Sequence, residues 1–535
     1  MTPARVREGG APVTTFADEL GGRGIRPALI DGDRVVTYAE LDERVADEAN
    51  RLGPVRRLVL LEISPDLPSI VTYLAALQGR HPVLLAPPTG DDRFGGLLRS
   101  TYDPDVVVVG GELTERRRGS VHELHPDLAL LLSTSGSTGS PKLVRLSHAN
   151  VQANATAIVT ALDIDEHDRA ITSLPLAYCY GLSILHSHLT SGASVVLTDR
   201  SVVDPVFWEE FRRHGVTSLA GVPYTFELLD RSGFEHLDVP TLRRVTQAGG
   251  RLDPIVVDRY ARLGRRRSWD LHVMYGQTEA TARMACLPPE LAVDHPEAIG
   301  RPVAGGEFHL EDVDGEVGEL VYRGPNVMLG YAEVSADLAK GREVEELHTG
   351  DLARLNDAGL YEVVGRRHRF VKPFGLRVDL DAVERRLGIE GVEAMCTGDD
   401  RRLVVTTTGA PSVGRVRDLV ERFTTVPRAA VSVRRVDRLP RLLNGKPDYA
   451  ALAPGTDDAE TLPPTSGLDG VRRIFGRVLA ASPSDIASDA SFVDLGGDSL
   501  SYVEASVRLE ELLGTLPHDW TSQSVAELAT LRPEA

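Results

Sequence analysis

A glycine- and hydroxyl-rich stretch has the composition of a polyphosphate-binding loop. It reads STSGSTGSPK, from Ser133 to Lys142, and it follows the apolar run LALLLS. Its glycines let backbone N–H groups turn towards phosphate, its hydroxyls add donors, and Lys142 supplies a positive charge. It is not the GxxxxGK[ST] loop, because proline precedes the lysine and no Ser or Thr follows it. A Ser/Gly-rich surface loop is the alternative interpretation.

A second stretch, YGQTEAT, combines groups that can contact a nucleotide. Tyr275 could stack on a purine, Thr278 could bind a phosphate, and Glu279 could hold Mg²⁺. The same letters are also typical of a helix-capping turn at Thr278.

A third stretch runs from His348 to Lys372 and contains two charged residues suited to a ribose. Asp351 follows a glycine and could bind the ribose hydroxyls, and Arg366 could reach the ribose or a phosphate. A β-hairpin with a turn at Asn356 and Asp357 is predicted for the same residues and is compatible with that role.

Two further motifs place single reactive side chains at turns. In LPRLLNGKPDY, the Asn444–Gly445 turn would present Lys446 at its tip, where an ammonium could neutralise charge on a phosphorus under attack. In DLGGDSL, Ser499 follows Asp498 at a predicted helix start, which favours a bonded phosphate. A solvated turn lysine and an ordinary N-cap serine are the alternatives.

The elements between these motifs change character along the chain. Up to residue 365, Val- and Leu-rich runs alternate with helical patterns, which predicts an α/β fold with a mostly parallel sheet covered by helices on both faces. Residues 366–452 have the shorter elements of a small α+β unit. Residues 453–467 are rich in Pro, Gly and Thr and read as a linker, and residues 468–535 have compact helical patterns.

Composition excludes several classes of protein. The 535 residues carry a formal net charge of −19, which disfavours binding to nucleic acid. No apolar run is long enough for a membrane span, and the N-terminus lacks the apolar core of a secretory signal. The three cysteines are far apart, which argues against a thiolate metal site and predicts a cytoplasmic protein.

In this order and spacing the five motifs closely resemble the adenylate-forming superfamily, which includes acyl-CoA synthetases, luciferases and the adenylation domains of non-ribosomal peptide synthetases. The resemblance covers roughly residues 15–450, and the tail resembles an acyl or peptidyl carrier domain. It implies an adenylation core of αβ layers over 1–365, a mobile α+β lid over 366–452, a linker over 453–467 and an all-α four-helix carrier bundle over 468–535.

The resemblance also assigns roles to residues. It implies Lys446, Thr278 and Glu279 as catalytic residues, with Glu279 holding Mg²⁺, His368 as the hinge and Ser499 as the phosphopantetheine attachment site. The implied nucleotide-binding residues are Thr134, Ser135, Gly136, Ser137, Thr138, Gly139, Lys142, Gly249, Gly250, Tyr275, Gly276, Asp351 and Arg366. The implied substrate pocket comprises Tyr178, Tyr180, Gly221, Tyr224, Gln247, Ala248 and Met274.

The implied reaction joins a small carboxylic acid to AMP, using ATP and Mg²⁺, and passes the acyl group to 4′-phosphopantetheine on the chain's own carrier. The implied partners are a phosphopantetheinyl transferase and downstream carrier-dependent biosynthetic enzymes. Two positions depart from the family pattern. His368 stands where Asp or Lys is usual, and Tyr178 stands where amino-acid-activating domains carry an Asp for the ammonium. Because a buried ammonium without a carboxylate is costly, Tyr178 favours an acid without a free α-amino group.

Three alternatives remain at this point. The chain could deliver its acyl group to free coenzyme A, or it could activate an amino acid whose amine is held differently. It could also be a non-catalytic module that only presents a carrier, although the intact Lys446, Glu279 and Asp351 argue against that.

Overall fold

The computed structural model describes the greater part of the chain. Contacts divide it into two units, Met1–Thr198 with Glu210–Pro454 and Asp199–Glu209 with Gly455–Ala535. The described residues are 13–88, 93–133, 142–366, 370–371, 373, 376, 378–399, 401–408, 412–424, 426–436, 439, 452, 467–479, 483, 486–495, 505–506, 508–509, 512–513, 516–517 and 519–531.

All described strands lie in the first unit. They are β1 Pro27–Asp31, β2 Arg34–Thr37, β3 Val59–Glu62, β4 Val83–Ala86, β5 Val106–Val109, β6 Glu112–Glu115, β7 Leu128–Ser133, β8 Leu143–Ser147, β9 Arg169–Ile171, β10 Ser194–Leu197, β11 Ser218–Gly221, β12 Arg244–Gln247, β13 Asp270–Tyr275, β14 Ala285–Cys286, β15 Arg301–Pro302, β16 Glu307–Asp314, β17 Val317–Arg323, β18 Gly330–Ala332, β19 Leu347–Leu355, β20 Tyr361–Arg366, β21 Phe370–Val371, β22 Val378–Asp379, β23 Ala394–Gly398, β24 Leu403–Thr407 and β25 Val431–Arg435.

Twelve α-helices are described. They are α1 Tyr38–Leu52, α2 Leu67–Gln78, α3 Arg93–Tyr102, α4 His148–Leu162, α5 Cys179–Ser191, α6 Pro205–Arg213, α7 Pro223–Arg231, α8 Pro254–Arg267, α9 Leu380–Ile389, α10 Val413–Phe423, α11 Leu468–Val478 and α12 Val525–Leu528. Short 3-10 helices are Phe16–Asp18, Leu20–Arg23, Phe234–His236, Thr278–Ala280, Pro289–Leu291, Ser335–Ala339, Arg428–Ala430 and Trp520–Ser522. Within the described ranges, no helix combines the length and the apolar character that crossing a bilayer requires.

The central strands form two mixed sheets rather than the one sheet that the sequence predicted. The nine-stranded sheet has the order β15-β14-β13-β12-β11-β9-β10-β1-β2, and the seven-stranded sheet has the order β18-β8-β7-β4-β3-β5-β6. In both, the central pairs are parallel and the outer pairs are antiparallel. Strand periodicity identifies a strand but not the sheet that it joins, so the division arises from tertiary packing.

Continuous apolar runs explain why the central strands are buried. All four residues of β4 and the first three of β3 and β5 are buried, as expected for parallel strands covered on both faces. Helices α1, α2 and α5 contribute to one shared core with these sheets, through residues such as Leu41 and Leu74. Each of α1 and α4 begins at a capping box, at Thr37 and Ser147.

A four-stranded antiparallel sheet, in the order β16-β17-β19-β20, carries the third motif. The predicted hairpin at Asn356 and Asp357 joins β19 to β20, and Asn356 N donates to Leu360 O at 2.9 Å. The hairpin places the backbone of Asp351 opposite that of Arg366.

The region after residue 366 has the short α+β elements that the sequence predicted. Strands β23, β24 and β25 form one sheet, and α9 and α10 pack on it around Val405, Leu419 and Val420. In the second unit, α11 and α12 enclose a separate core that includes Phe475, Phe492 and Trp520. The α/β class of the core and the helical character of the described part of the tail are therefore confirmed.

Candidate active site

A cleft of about 230 Å³ opens at the carboxyl ends of β12 and β13. The carboxyl ends of parallel strands are where open α/β sheets bind ligands. It collects residues that are far apart in sequence, namely Gln247, Gly249, Gly250, Arg251, Leu252, Val273, Met274, Tyr275, Gly276, Pro296, Glu297, Ala298, Ile299, Asp351, Val363 and Val371. The predicted nucleotide residues Gly249, Gly250, Tyr275, Gly276 and Asp351 are all among them.

Asp351 is held in one orientation by two side-chain donors. Its Oδ2 accepts from the Tyr275 hydroxyl and from Gln277 Nε2, the latter at 3.1 Å. The same Gln277 amide donates to Thr349 O at 2.9 Å, and Asp351 N donates to Thr349 Oγ1 at 3.0 Å. Asp351 is 1% exposed, so these bonds fix a buried carboxylate at the wall of the cleft. Sequence reasoning did not select Gln277, although it lies inside the YGQTEAT motif.

Two of the three predicted glycines that line the cleft, Gly249 and Gly276, have no room for a side chain. Gly249 has φ +82°, and a Cβ there would lie 2.6 Å from the Tyr178 hydroxyl. A Cβ on Gly276 would lie 1.8 Å from Ala282 O. Gln247 Nε2 donates to Gly250 O at 2.8 Å and so holds the Gly249–Gly250 turn. Gln247, predicted as a pocket residue, therefore also positions the loop.

Thr278 and Glu279 lie on a buried 3-10 turn beside α5. Gln277, rather than Thr278, precedes this turn, and the Thr278 hydroxyl donates to Cys179 Sγ at 3.3 Å. Glu279 is 5% exposed, and its Oε1 accepts from the Tyr331 hydroxyl at 3.0 Å. Its Oε2 is buried and has no hydrogen-bond partner among the described residues. A buried carboxylate oxygen of this kind is the donor that a hard cation such as Mg²⁺ requires.

Tyr331 connects Lys142 to Glu279. The Lys142 ammonium lies 3.7 Å from the centre of the Tyr331 ring, while the hydroxyl of the same ring donates to Glu279. Lys142 Nζ is also 3.9 Å from Glu333 Oε1. The last residue of the phosphate-loop motif and the predicted metal ligand are thus joined through one side chain that the sequence analysis did not select.

Of the seven predicted substrate residues, three line a described space and four do not. Gln247 is one of the three, and it lines the cleft. Tyr180 and Met274 line an interior cavity of about 20 Å³, and Met274 also lines the cleft. The Tyr178 and Tyr180 rings meet edge to face at 6.3 Å, and burial raises the pKa of both phenols, that of Tyr180 to about 12. Ala248 is buried in the same apolar cluster. Gly221, which ends β11, and Tyr224, half-buried on α7, are not lining residues of either space, and neither are Tyr178 and Ala248.

Several predicted residues lie outside the described residues. They are Thr134, Ser135, Gly136, Ser137, Thr138, Gly139, His368, Lys446 and Ser499. For Arg366, the backbone position on β20 is described. Their roles remain predictions.

Comparison with solved structures identifies the fold as that of adenylate-forming ligases. The o-succinylbenzoate coenzyme A synthetase of Bacillus subtilis superposes with a TM-score of 0.69 at 22% identity, covering 82% of this chain and 98% of that one. This likeness concerns the fold.

Family comparison then identifies the two parts of the chain. Residues 91–332 match the AMP-binding enzyme family, and residues 469–531 match the phosphopantetheine attachment site. The chain therefore carries an AMP-binding enzyme domain followed by a phosphopantetheine attachment site, as the motifs predicted.

Two synthetases illustrate the similarity to known proteins. The PKS-NRPS hybrid synthetase acdB from Aspergillus candidus is 28% identical over 91% of this chain and 22% of its own length. The non-ribosomal peptide synthetase CmlP from Streptomyces venezuelae is 28% identical over 91% of this chain and 54% of its own length. The chain thus spans about half of one of these relatives and less than a quarter of the other.

Proposed function

We propose that the chain activates a small carboxylic acid with ATP and loads it onto its own carrier domain. The observation that carries this proposal is the cleft whose wall includes Gly249, Tyr275 and the buried Asp351. Tyr275 and Gln277 both donate to the Asp351 carboxylate. A carboxylate fixed by two donors can accept hydrogen bonds from both ribose hydroxyls.

The first half-reaction would form the acyl-adenylate. A carboxylate oxygen of the acid attacks the α-phosphorus of ATP, the new O–P bond forms, and the bond to pyrophosphate breaks. Bound Mg²⁺ would neutralise negative charge on the phosphates. Glu279 would hold the ion through its buried Oε2, and Lys142, Thr278 and Lys446 would contribute charge and hydrogen bonds.

The second half-reaction would transfer the acyl group to sulfur. A thiol attacks the carbonyl carbon of the adenylate, the C–S bond forms, and AMP leaves with the oxygen that joined it to the acyl group. 4′-Phosphopantetheine on Ser499 would supply this thiol. In this proposal residues 1–365 are the core, residues 366–452 are a lid that turns at His368 and carries Lys446, and residues 453–467 are the tether to the carrier at 468–535.

The acid that we propose has no free α-amino group. Tyr178 occupies the position at which amino-acid-activating relatives carry Asp. Its phenol supplies no negative charge, and burial raises the pKa of that phenol further. None of the described residues that line the interior cavity is Asp or Glu. An ammonium entering that space would lose its water without gaining a counter-charge.

The remaining parts of the proposal concern partners and location. A phosphopantetheinyl transferase would modify Ser499, and carrier-dependent biosynthetic enzymes would consume the loaded acid. The three cysteines are far apart in the sequence, which supports the proposed cytoplasmic location.

Substrate-dependent pyrophosphate exchange by the full-length chain tests the first half-reaction. The panel contains amino, hydroxy, aryl, fatty and dicarboxylic acids. We expect exchange with at least one acid, and a loss of about 100-fold or more in Lys446→Ala. Lys340→Ala is the matched control, because Lys340 is half-exposed and pairs with Asp337 at 2.8 Å. A wild-type chain that is silent with the whole panel contradicts the proposal.

Mass spectrometry of the pantetheinylated chain tests the second half-reaction. With ATP and the preferred acid, the chain should gain the acyl mass, and Ser499→Ala should keep exchange but lose that gain. Product on added coenzyme A, with none on the chain, would instead identify an acid–coenzyme A ligase.

A further inference from the structure

Arg283 is a buried arginine whose backbone is fixed next to the proposed active site. It is 2% exposed and lies four residues after Glu279. Its N–H donates to Asn154 Oδ1 at 3.2 Å, and its carbonyl accepts from Asn154 Nδ2 at 2.8 Å and from Asn326 Nδ2 at 2.9 Å. Two asparagines, one on α4 and one in the turn after β17, therefore fix the backbone position of Arg283.

The Arg283 guanidinium lacks an acidic partner among the described residues. Its Nε is buried without a hydrogen-bond acceptor, and no ion pair of the described residues includes it. Its guanidinium carbon lies 4.6 Å from the centre of the Tyr180 ring. A cation–π contact compensates only part of the hydration free energy that a buried guanidinium loses. Arg283 would therefore gain free energy by binding an anion.

Two other buried arginines of the same unit do have acidic partners. Arg244 Nη1 lies 2.8 Å from Asp168 Oδ2, an ion-pair contact outside the hydrogen-bonding angle, and Arg145 pairs with Glu343. Arg244 lines the same interior cavity as Arg283. Among the described residues, the fold therefore provides a counter-charge for Arg244 and Arg145 but none for Arg283.

The cavity beside Arg283 adjoins the nucleotide cleft. Met274 lines both spaces, and Tyr180, Thr246 and Arg283 line the interior one. His188, on its wall, stays neutral because burial lowers its pKa to about 4. The cavity of about 20 Å³ is little larger than one water molecule, so only a small group fits beside Arg283.

We propose that the activated acid carries a second carboxylate, which binds Arg283 while the first carboxylate meets ATP. The substrate class is a short dicarboxylate. This inference rests on the proposed function and specifies its substrate. A planar guanidinium binds a carboxylate by donating paired N–H hydrogen bonds to it, and such bonds are strong where water is excluded. The second carboxylate belongs to a diacid without an amino group, as the proposed function requires.

Matched pairs of acids test the inference by pyrophosphate exchange with the full-length chain. Succinate is compared with butyrate, glutarate with valerate, and aspartate with succinate, and kcat/KM is measured for each. We expect the diacid to exceed its monoacid by about 10- to 100-fold, since a buried charge-assisted bond is gained. We expect succinate to exceed aspartate, because the proposed acid has no free α-amino group. Aspartate above succinate would contradict that part of the proposed function, although it would still support a second carboxylate.

Variants at Arg283 separate binding from folding. In Arg283→Gln the ratio of diacid to monoacid should fall about 10- to 100-fold, and Arg283→Lys should restore part of it. The ratio is insensitive to the fraction of folded enzyme, because misfolding lowers both activities equally. Arg57→Gln is the matched control and should leave the ratio unchanged, because Arg57 is also buried, pairs with Glu115 at 2.9 Å and lines neither space.

The two proposals fail in different ways. If monoacids support exchange as well as diacids do, or if Arg283→Gln keeps the wild-type ratio, the second-carboxylate inference is overturned while adenylation stands. If no acid of the panel supports exchange, the proposed function itself fails, and the inference that depends on it fails too.

Discussion

The hydroxyl of Tyr331 should control how well Glu279 serves as a metal ligand. It donates to Glu279 Oε1 at 3.0 Å, and Oε2 of the same carboxylate is the buried atom left for a cation. Tyr331→Phe removes this hydroxyl and keeps the ring on which the Lys142 ammonium lies. The substitution therefore tests orientation of the carboxylate without disturbing the cation–π contact.

The size of the effect follows from burial. Glu279 is 5% exposed, so water cannot readily replace the lost donor. A hydrogen bond to a charged group contributes about 1.5 to 3 kcal/mol, which corresponds to about 10- to 150-fold in rate. We expect pyrophosphate exchange to fall within that range in Tyr331→Phe and the half-saturating Mg²⁺ concentration to rise.

A Mg²⁺ titration of exchange activity is the assay, with Tyr102→Phe as the control. The Tyr102 hydroxyl donates at 2.7 Å to the carbonyl of Ala332, the next residue on β18, and removing it leaves the Glu279 bond intact. The control should keep the wild-type Mg²⁺ dependence. A Tyr331→Phe variant with wild-type rate and wild-type Mg²⁺ dependence refutes the assignment of Glu279 to the metal.

Two more predictions concern the ribose-binding carboxylate and the acid stability of the core. Gln277→Leu removes the donor at 3.1 Å from Asp351 and should raise the KM for ATP about tenfold with little change in kcat. Pyrophosphate exchange at varied ATP concentration measures this KM, and an unchanged value contradicts the assigned role. Burial lowers the pKa of His186 to about 3 and that of His188 to about 4. The free energy of unfolding is therefore unaffected by these histidines above pH 6.5 and decreases as the pH falls from 6.5 towards 4. The decrease is about 1.4 kcal/mol per pH unit for each histidine, because the unfolded chain binds the proton that the folded chain does not. Denaturant unfolding at pH 7 and pH 5 should show this loss, and His186→Gln should show less of it; equal pH slopes would contradict the explanation.

The motifs specified the chemistry well because they depend on residue types in short windows. The small size of a glycine, the charge of a carboxylate and the aromatic ring of a tyrosine do not depend on where the chain places them. Tyr275 and Asp351 were candidates from their residue types, whereas Gly276 was implied by the family resemblance. The structure brings all three into one cleft. The shift from long to short elements after residue 365 likewise follows from local hydrophobic patterns.

What the sequence by itself determined was the class of chemistry, the order of the parts and the α/β character of the core. Only the tertiary structure decided which distant residues meet: Tyr275 with Asp351 across 76 positions, Tyr331 with Glu279 across 52, and Arg283 with the ring of Tyr180. Local propensity carries no information about sheet membership or about which buried charge receives a partner, because these depend on how two separate sheets pack. For that reason the residue types indicated a nucleotide site, whereas only the folded chain shows that Arg283 lacks an acidic partner among the described residues.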